Sequence, residues 1–99
     1  MKIKDGVILA GLVIKMRPVL IAADSIWDEY GQELVVTAGL DGAHSAGSLH
    51  YYGLALDLRT RYFDDAMREV IGQDLEDRLP IDYDVVVHSS HVHVEYDPK

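Results

Sequence analysis

Apolar residues recur along the first third of the chain with the period of a helix. From Pro18 onward, apolar side chains return every three or four residues as far as Tyr30. Proline is tolerated in the first turn of a helix, where its missing N–H group has no partner in any case. Gly31 follows as a residue suited to end the helix. The pattern therefore predicts a helix over about residues 17–30.

A second helical pattern follows residue 60. Thr60 is a residue type that can cap a helix, and Asp64 and Asp65 would lie in the first turns, where the helix dipole favours acidic residues. Pro80 is expected to end this region. The predicted buried stripe consists of four residues, Phe63, Met67, Val70 and Ile71.

Short β-branched or alternating segments predict strands between and after the helices. The last two are separated by four residues, so we expect an antiparallel hairpin. A loop over residues 39–49, rich in glycine and serine, is long enough to suggest a function. The resulting fold class is α+β, a small and mainly antiparallel sheet with two helices packed on one face. The predicted strands cover residues 6–14, as a strand or ordered arm, then 34–38, 53–58, 83–87 and 92–96.

Composition narrows the range of functions. The chain has 99 residues, which fits a single domain spanning 1–99. Its net charge of −8 argues against nucleic acid and against an anionic membrane surface as partners. There are no cysteines, which excludes disulfides and thiol nucleophiles. Segment 6–14 is apolar, but no small-residue cleavage site follows it, so we do not expect a signal peptide.

The strand over residues 53–58 has two chemically different faces. Because side chains alternate along a strand, Ala55 and Asp57 share one face and Leu56 and Leu58 share the other. The leucine face is expected to lie in the core. Small residues beside Asp57 would leave space in front of its carboxylate for a metal ion and a substrate.

Histidines are concentrated near the end of the chain. His91 and His93 are two residues apart, so in a strand they point to the same side. If this strand and the strand of Asp57 are neighbours in the sheet, His93 can approach Asp57 and His50. Two neutral imidazoles and one carboxylate are a typical ligand set for catalytic zinc, with a fourth position left for water. His44 is expected to be a polar loop residue near the site rather than a ligand.

Two sequence blocks resemble a known family. Residues 48–57 fit the pattern S-x-H-x-x-G-x-A-x-D at every fixed position, and His91-Val92-His93 fits a closing H-x-H about 35 residues later. This combination resembles the zinc D-alanyl-D-alanine carboxypeptidases and murein endopeptidases, which share the Hedgehog/DD-peptidase fold. The resemblance extends from the first helix to Glu95. Because typical members are longer, the chain looks like a minimal version.

The resemblance implies a role for each matching residue. Zn²⁺ would be held by His50, Asp57 and His93, with Ser48 supporting the loop that carries the first of these. Each of these residues occupies a fixed position in residues 48–57 or in His91-Val92-His93.

The resemblance also implies catalytic roles for two other histidines. His91 matches a histidine that lies beside the metal and supports catalysis, and His88 matches a second histidine that is not a ligand. Other branches of the family place an Asp or Glu base three residues before the last ligand. Here Ser90 occupies that position, so the acid/base work is assigned to His91, assisted by His88.

Substrate binding departs from the family pattern. Many relatives carry an arginine, in a Ser-Gly-Tyr-Arg stretch, that meets a substrate carboxylate. Residues 37–42 read TAGLDG and contain no arginine. Arg59 can replace it only if the strand of Asp57 continues that far, and Arg61 is a further possibility. Tyr51, together with Ser48 and Arg59, completes the set of candidates for substrate binding or support.

These patterns and the resemblance lead to one functional hypothesis and one alternative. The first is a zinc metallopeptidase, a hydrolase acting on peptidoglycan stem peptides, as a monomer without nucleic-acid or membrane partners. An expected lack of a signal peptide would fit an endolysin-like phage or prophage enzyme released to the cell wall. The alternative is a zinc-binding module of the same fold that hydrolyses nothing. The sequence leaves open which peptide bond would be cleaved.

Overall fold

The computed structural model describes residues 1–7, 14–39 and 54–98. Within this part of the chain the fold is α+β, with two α-helices and one five-stranded mixed sheet. A short 3-10 helix, Ile14–Met16, leads into the first α-helix. The helices are α1 (Arg17–Glu29) and α2 (Asp65–Arg78). The strands are β1 (Lys2–Ile3), β2 (Val35–Ala38), β3 (Ala55–Arg59), β4 (Tyr83–Val87) and β5 (His91–Tyr96).

The sheet is mainly antiparallel, as the sequence predicts. Its strand order is β1-β2-β3-β5-β4, so β3 is the central strand. Only β1 and β2 run parallel among the described strand pairs, and the other three pairings are antiparallel. The predicted hairpin of the last two strands is confirmed. None of the helices in the described segments is long and apolar enough to cross a membrane.

Helix α1 forms where its apolar period predicts. Pro18 lies in the first turn, and the helix ends at Glu29. Gly31 follows with a φ angle of +78°, a conformation that glycine adopts without a steric penalty. Both predicted end signals are therefore confirmed. The residues that α1 buries are Val19, Ala23, Ile26 and Trp27.

Helix α2 begins later than the sequence predicts. Thr60 is not its cap, because the chain first makes a turn in which the Phe63 N–H donates to the Thr60 carbonyl over 2.9 Å. The Thr60 N–H itself donates to the carbonyl of Ser90. Asp64 is the cap, and its carboxylate accepts from the Met67 N–H at 2.8 Å.

The buried residues of α2 also differ from the predicted stripe. Val70, predicted for the core, is 49% exposed. The buried face instead consists of Ile71, Gly72 and Leu75. A Cβ atom on Gly72 would lie 2.4 Å from Cγ2 of Val87 in β4. Glycine is therefore needed for the close approach of α2 to the edge of the sheet.

The core lies against one face of β3 and its neighbour β5. Leu56 and Leu58 of β3 and Val92 and Val94 of β5 are completely buried. They belong to a single apolar cluster that also contains buried residues of both helices. Both helices therefore pack on this face, and the alternate residues of β3 and β5 point to the opposite side.

The N-terminal segment differs from the prediction. The first strand is Lys2–Ile3, where the Lys2 N–H donates to the Leu34 carbonyl over 2.7 Å. Segment 6–14 lies mostly outside the described residues. At its described ends, Gly6 is in a turn and Ile14 begins the 3-10 helix, so neither is in a strand. Of the predicted loop over 39–49, only Gly39 is described.

Candidate metal centre

Strands β3 and β5 place five polar or charged side chains on the face opposite the core. Their antiparallel register pairs Asp57 with His93, Arg59 with His91, and Ala55 with Glu95. The two strands are therefore neighbours in the sheet, which is the condition under which His93 can approach Asp57. Thr37 of β2 adds a hydrogen bond from its hydroxyl to the Asp57 carbonyl at 3.4 Å. The backbone that carries Asp57 is thus fixed from both sides.

Asp57 and His93 are in direct contact. Oδ1 of Asp57 lies 2.9 Å from Nδ1 of His93, and both side chains are largely buried. Two ligand atoms of one tetrahedral zinc ion lie about 3.3 Å apart, given bond lengths of about 2.0–2.1 Å. The pair thus needs to open by only a few tenths of an ångström to share a metal ion. The donor atoms of Asp57 and His93 and the distance between them therefore fit a bound zinc ion, the cofactor that the sequence implies.

The second ring nitrogen of His93 contacts a residue that the sequence analysis did not assign. Nε2 lies 2.8 Å from Oε1 of Glu95, two residues further along β5. Period-two alternation would have placed Glu95 on the same face as His93, so the signal was present in the sequence. A carboxylate at Nε2 holds a proton there and leaves Nδ1 for a metal, an arrangement common around histidine ligands.

The carboxylates of Asp57 and Glu95 change the acidity of His93. Its hydrogen bond to Asp57 is the largest influence and raises the pKa of the imidazole above its usual 6.5. Partial burial opposes this increase, and the hydrogen bond to Glu95 adds to it. The two carboxylates therefore favour the protonated form of the His93 ring more than water does in a free histidine.

His91 lies on the other side of the Asp57 carboxylate. Its Nε2 is 3.9 Å from Oδ2 of Asp57, and its Nδ1 is 3.2 Å from the hydroxyl of Ser90. The ring of His88 stacks on it, with centroids 4.7 Å apart and planes at 27°. These contacts fix the orientation of the His91 ring beside the predicted ligands, with one nitrogen directed at the site.

The remaining predicted site residues lie either on β3 or outside the described part of the chain. Arg59 is the last residue of β3 and shares the face of Asp57, so the strand continues as far as its use beside the candidate ligands requires. Ala55 is completely buried, so the expected open space does not extend to it. Four residues lie outside the described part of the chain, namely His44, Ser48, His50 and Tyr51.

A second group of acidic side chains lies next to this site. Asp84, Glu95 and Asp97 can each offer one oxygen, with all three oxygens within 4.8 Å of one another. It is the one group of three or more candidate ligands within the described segments. Carboxylate oxygens alone suit hard cations such as Ca²⁺ or Mg²⁺ and are not specific for zinc.

Comparison of the chain with models of protein families and with the sequences of curated proteins finds no match in either case.

Proposed function

We propose that the chain is a zinc-dependent peptidase acting on peptidoglycan stem peptides, of the D-alanyl-D-alanine carboxypeptidase or murein endopeptidase type. The observation that carries the proposal is the 2.9 Å contact between Asp57 and His93, with His91 on the same face of the sheet. These residues come from the two sequence blocks that resemble that family. A Hedgehog/DD-peptidase-like topology is part of the same proposal.

Asp57 and His93 would hold the metal ion, and His50 would be the third ligand. Zinc bound there would activate water and polarise the scissile carbonyl. Glu95 keeps the His93 ring in one orientation through its 2.8 Å contact to Nε2.

His91 would act as the general acid and base. Its Nε2 takes a proton from the attacking water as the oxygen bonds to the carbonyl carbon. The same nitrogen then gives that proton to the amide nitrogen as the C–N bond breaks. Ser90 and the stacked ring of His88 hold His91 in place for both transfers.

The test is mass analysis of peptides released from purified peptidoglycan by the zinc-loaded chain, with and without a chelator. We expect defined fragments that disappear when the chelator is added, and their masses would identify the bond. Asp57→Ala and His93→Ala should lose bound zinc and release together. His91→Ala should keep zinc and slow release by about 10²–10⁴-fold. Asp28→Asn, an exposed change on α1, is the matched control.

Two results would contradict this proposal. Release that continues unchanged in the presence of chelator would exclude metal-dependent hydrolysis. Full turnover by His91→Ala, with zinc bound, would remove His91 from its catalytic role.

One observation favours a second candidate, a zinc-binding module without hydrolytic activity. Ser90 occupies the position where other branches of the family place a carboxylate base, and its hydroxyl contacts His91 instead. A folded chain that holds one zinc ion and releases no peptide would support this candidate over the peptidase.

A further inference from the structure

A row of side chains crosses the sheet directly beside the Asp57–His93 pair. The register pairs Lys2 with Val35 and Arg59 with His91. Because Val36 pairs with Leu58 in the antiparallel β2–β3 ladder, the preceding residue of β2 lies next to Arg59. The row therefore runs from Lys2 through Val35 and Arg59 to His91, one pleat away from the candidate metal ligands.

Arg59 is held firmly at its backbone, but its charge has no counterion among the described residues. Its carbonyl accepts a hydrogen bond of 2.9 Å from the indole N–H of Trp27. Its side chain is half-buried, and within the described segments its guanidinium makes no hydrogen bond or ion pair. By contrast, Arg68 pairs with Asp65, and Arg78 pairs with Glu29 and Asp74. Relative to the other described residues, this guanidinium is therefore available to an anionic ligand.

The space beside Arg59 is positively charged. A cleft of about 390 Å³ is lined by Lys2, Lys4, Asp5, Val35 and Arg59, three cations against one carboxylate. This concentration is unusual in a chain with 17 acidic and 9 basic residues and a net charge of −8. The cleft therefore attracts an anion locally, although the protein as a whole repels one.

We propose that this cleft is a binding subsite for a carboxylate group of the peptide substrate, with Arg59 as its specificity-determining residue. That the ligand is a peptide rests on the proposed function, whereas the preference for an anion rests on the cleft alone. The planar guanidinium matches a carboxylate through two parallel hydrogen bonds, and the two lysines add point charges.

The spacing along β3 sets where the carboxylate lies in the substrate. Arg59 and Asp57 are two residues apart on the same face, which corresponds to about 6.6–6.8 Å along the strand. An extended peptide covers that distance in about two residues. The subsite therefore selects a peptide whose carboxylate is one or two residues from the bond at the metal.

The experiment is an NMR titration of the full ¹⁵N-labelled chain, in chelator so that nothing is hydrolysed, with three probes. These are N-acetyl-D-alanyl-D-alanine, its C-terminal carboxamide, and inorganic phosphate. We expect the acid to shift resonances of β1, β2 and the end of β3, and to bind at least about tenfold more tightly than the carboxamide. Arg59→Gln should remove that difference, and Arg61→Gln, an exposed change in the following turn, should preserve it.

Several outcomes would overturn the subsite. These are equal binding of acid and carboxamide, binding of neither, tighter binding of phosphate than of the acid, or an unchanged preference in Arg59→Gln. Arg59→Lys keeps the charge and the aliphatic stem, so it provides a second variant if Arg59→Gln does not fold. It should bind the acid more weakly than the unmodified chain while still preferring it to the carboxamide. A preserved preference without release of peptides from peptidoglycan would contradict the peptidase and leave the anion subsite supported.

Discussion

The two faces of the β3–β5 pair carry opposite kinds of side chain on the same backbone. On one face Leu56, Leu58, Val92 and Val94 have no exposed surface. On the other, Asp57 and His93 are in contact with each other and keep a small exposed fraction. Since one register positions both faces, the residues that stabilise the fold also fix the distances in the candidate site. We therefore expect changes on the first face to alter stability and changes on the second to alter ligand binding.

The largest effect is expected from the apolar face. Leu58→Ala removes a completely buried side chain next to Asp57 and should lower the free energy of unfolding by about 2–5 kcal/mol. Urea denaturation of the metal-free chain would measure it. Ile81→Ala is the control, because Ile81 is 81% exposed and its loss should change stability by less than about 0.5 kcal/mol. If both changes lowered the free energy of unfolding equally, the assignment of Leu58 to the stabilising face would be wrong.

A smaller effect, of a different kind, is expected from the polar face. Glu95→Gln weakens the contact that orients His93 and should reduce zinc affinity by about 10–100-fold. Competition with a chromophoric chelator would measure the affinity. The free energy of unfolding of the metal-free chain should change by less than about 1 kcal/mol. A large loss of stability with unchanged zinc affinity would show that Glu95 supports the fold and not the site.

The smallest effect is a pH dependence of the metal-free chain. The pKa of His93 is raised by its hydrogen bond to Asp57, so the folded chain binds this proton more tightly than the unfolded chain does. The resulting stabilisation is fully present below the unfolded pKa of about 6.5 and is lost as pH rises through the higher folded pKa. An NMR titration of the histidine rings would give that pKa directly. Asp57→Asn should lower it, and a midpoint at or below 6.5 in the unmodified chain would contradict the expectation.

Local patterns in the sequence were enough to predict which side chains of β3 and β5 lie on the core face and which lie opposite. Alternation placed Leu58 on the core face and Asp57 on the other, and the same rule placed His91 and His93 together. Adjacency of the two strands was only a condition of the sequence argument, and the structure supplies it. The contact of Glu95 with His93 obeys the same alternation, and only its role was not assigned.

Two kinds of feature could not be predicted from local patterns. One is a choice between two possible capping residues, and the other is a contact between segments far apart in the sequence. Thr60 and Asp64 are both good capping residues, and the intervening turn selects Asp64. Val70 is exposed and Gly72 is buried because the packing of α2 against β4 decides which face is covered. Strand β1 has two residues and exists only through its pairing with β2, which no local pattern near Lys2 indicates.

The shared register of β3 and β5 also limits how such a chain can change during evolution. Inserting or deleting one residue within either strand would turn every later side chain to the opposite face. Leucine or valine would then replace the candidate metal ligands on the polar face, and histidine or aspartate would enter the core. Length changes within these strands should therefore be eliminated far more strongly than most substitutions. The turn of His88, Ser89 and Ser90 gives no such freedom, because it also positions His91.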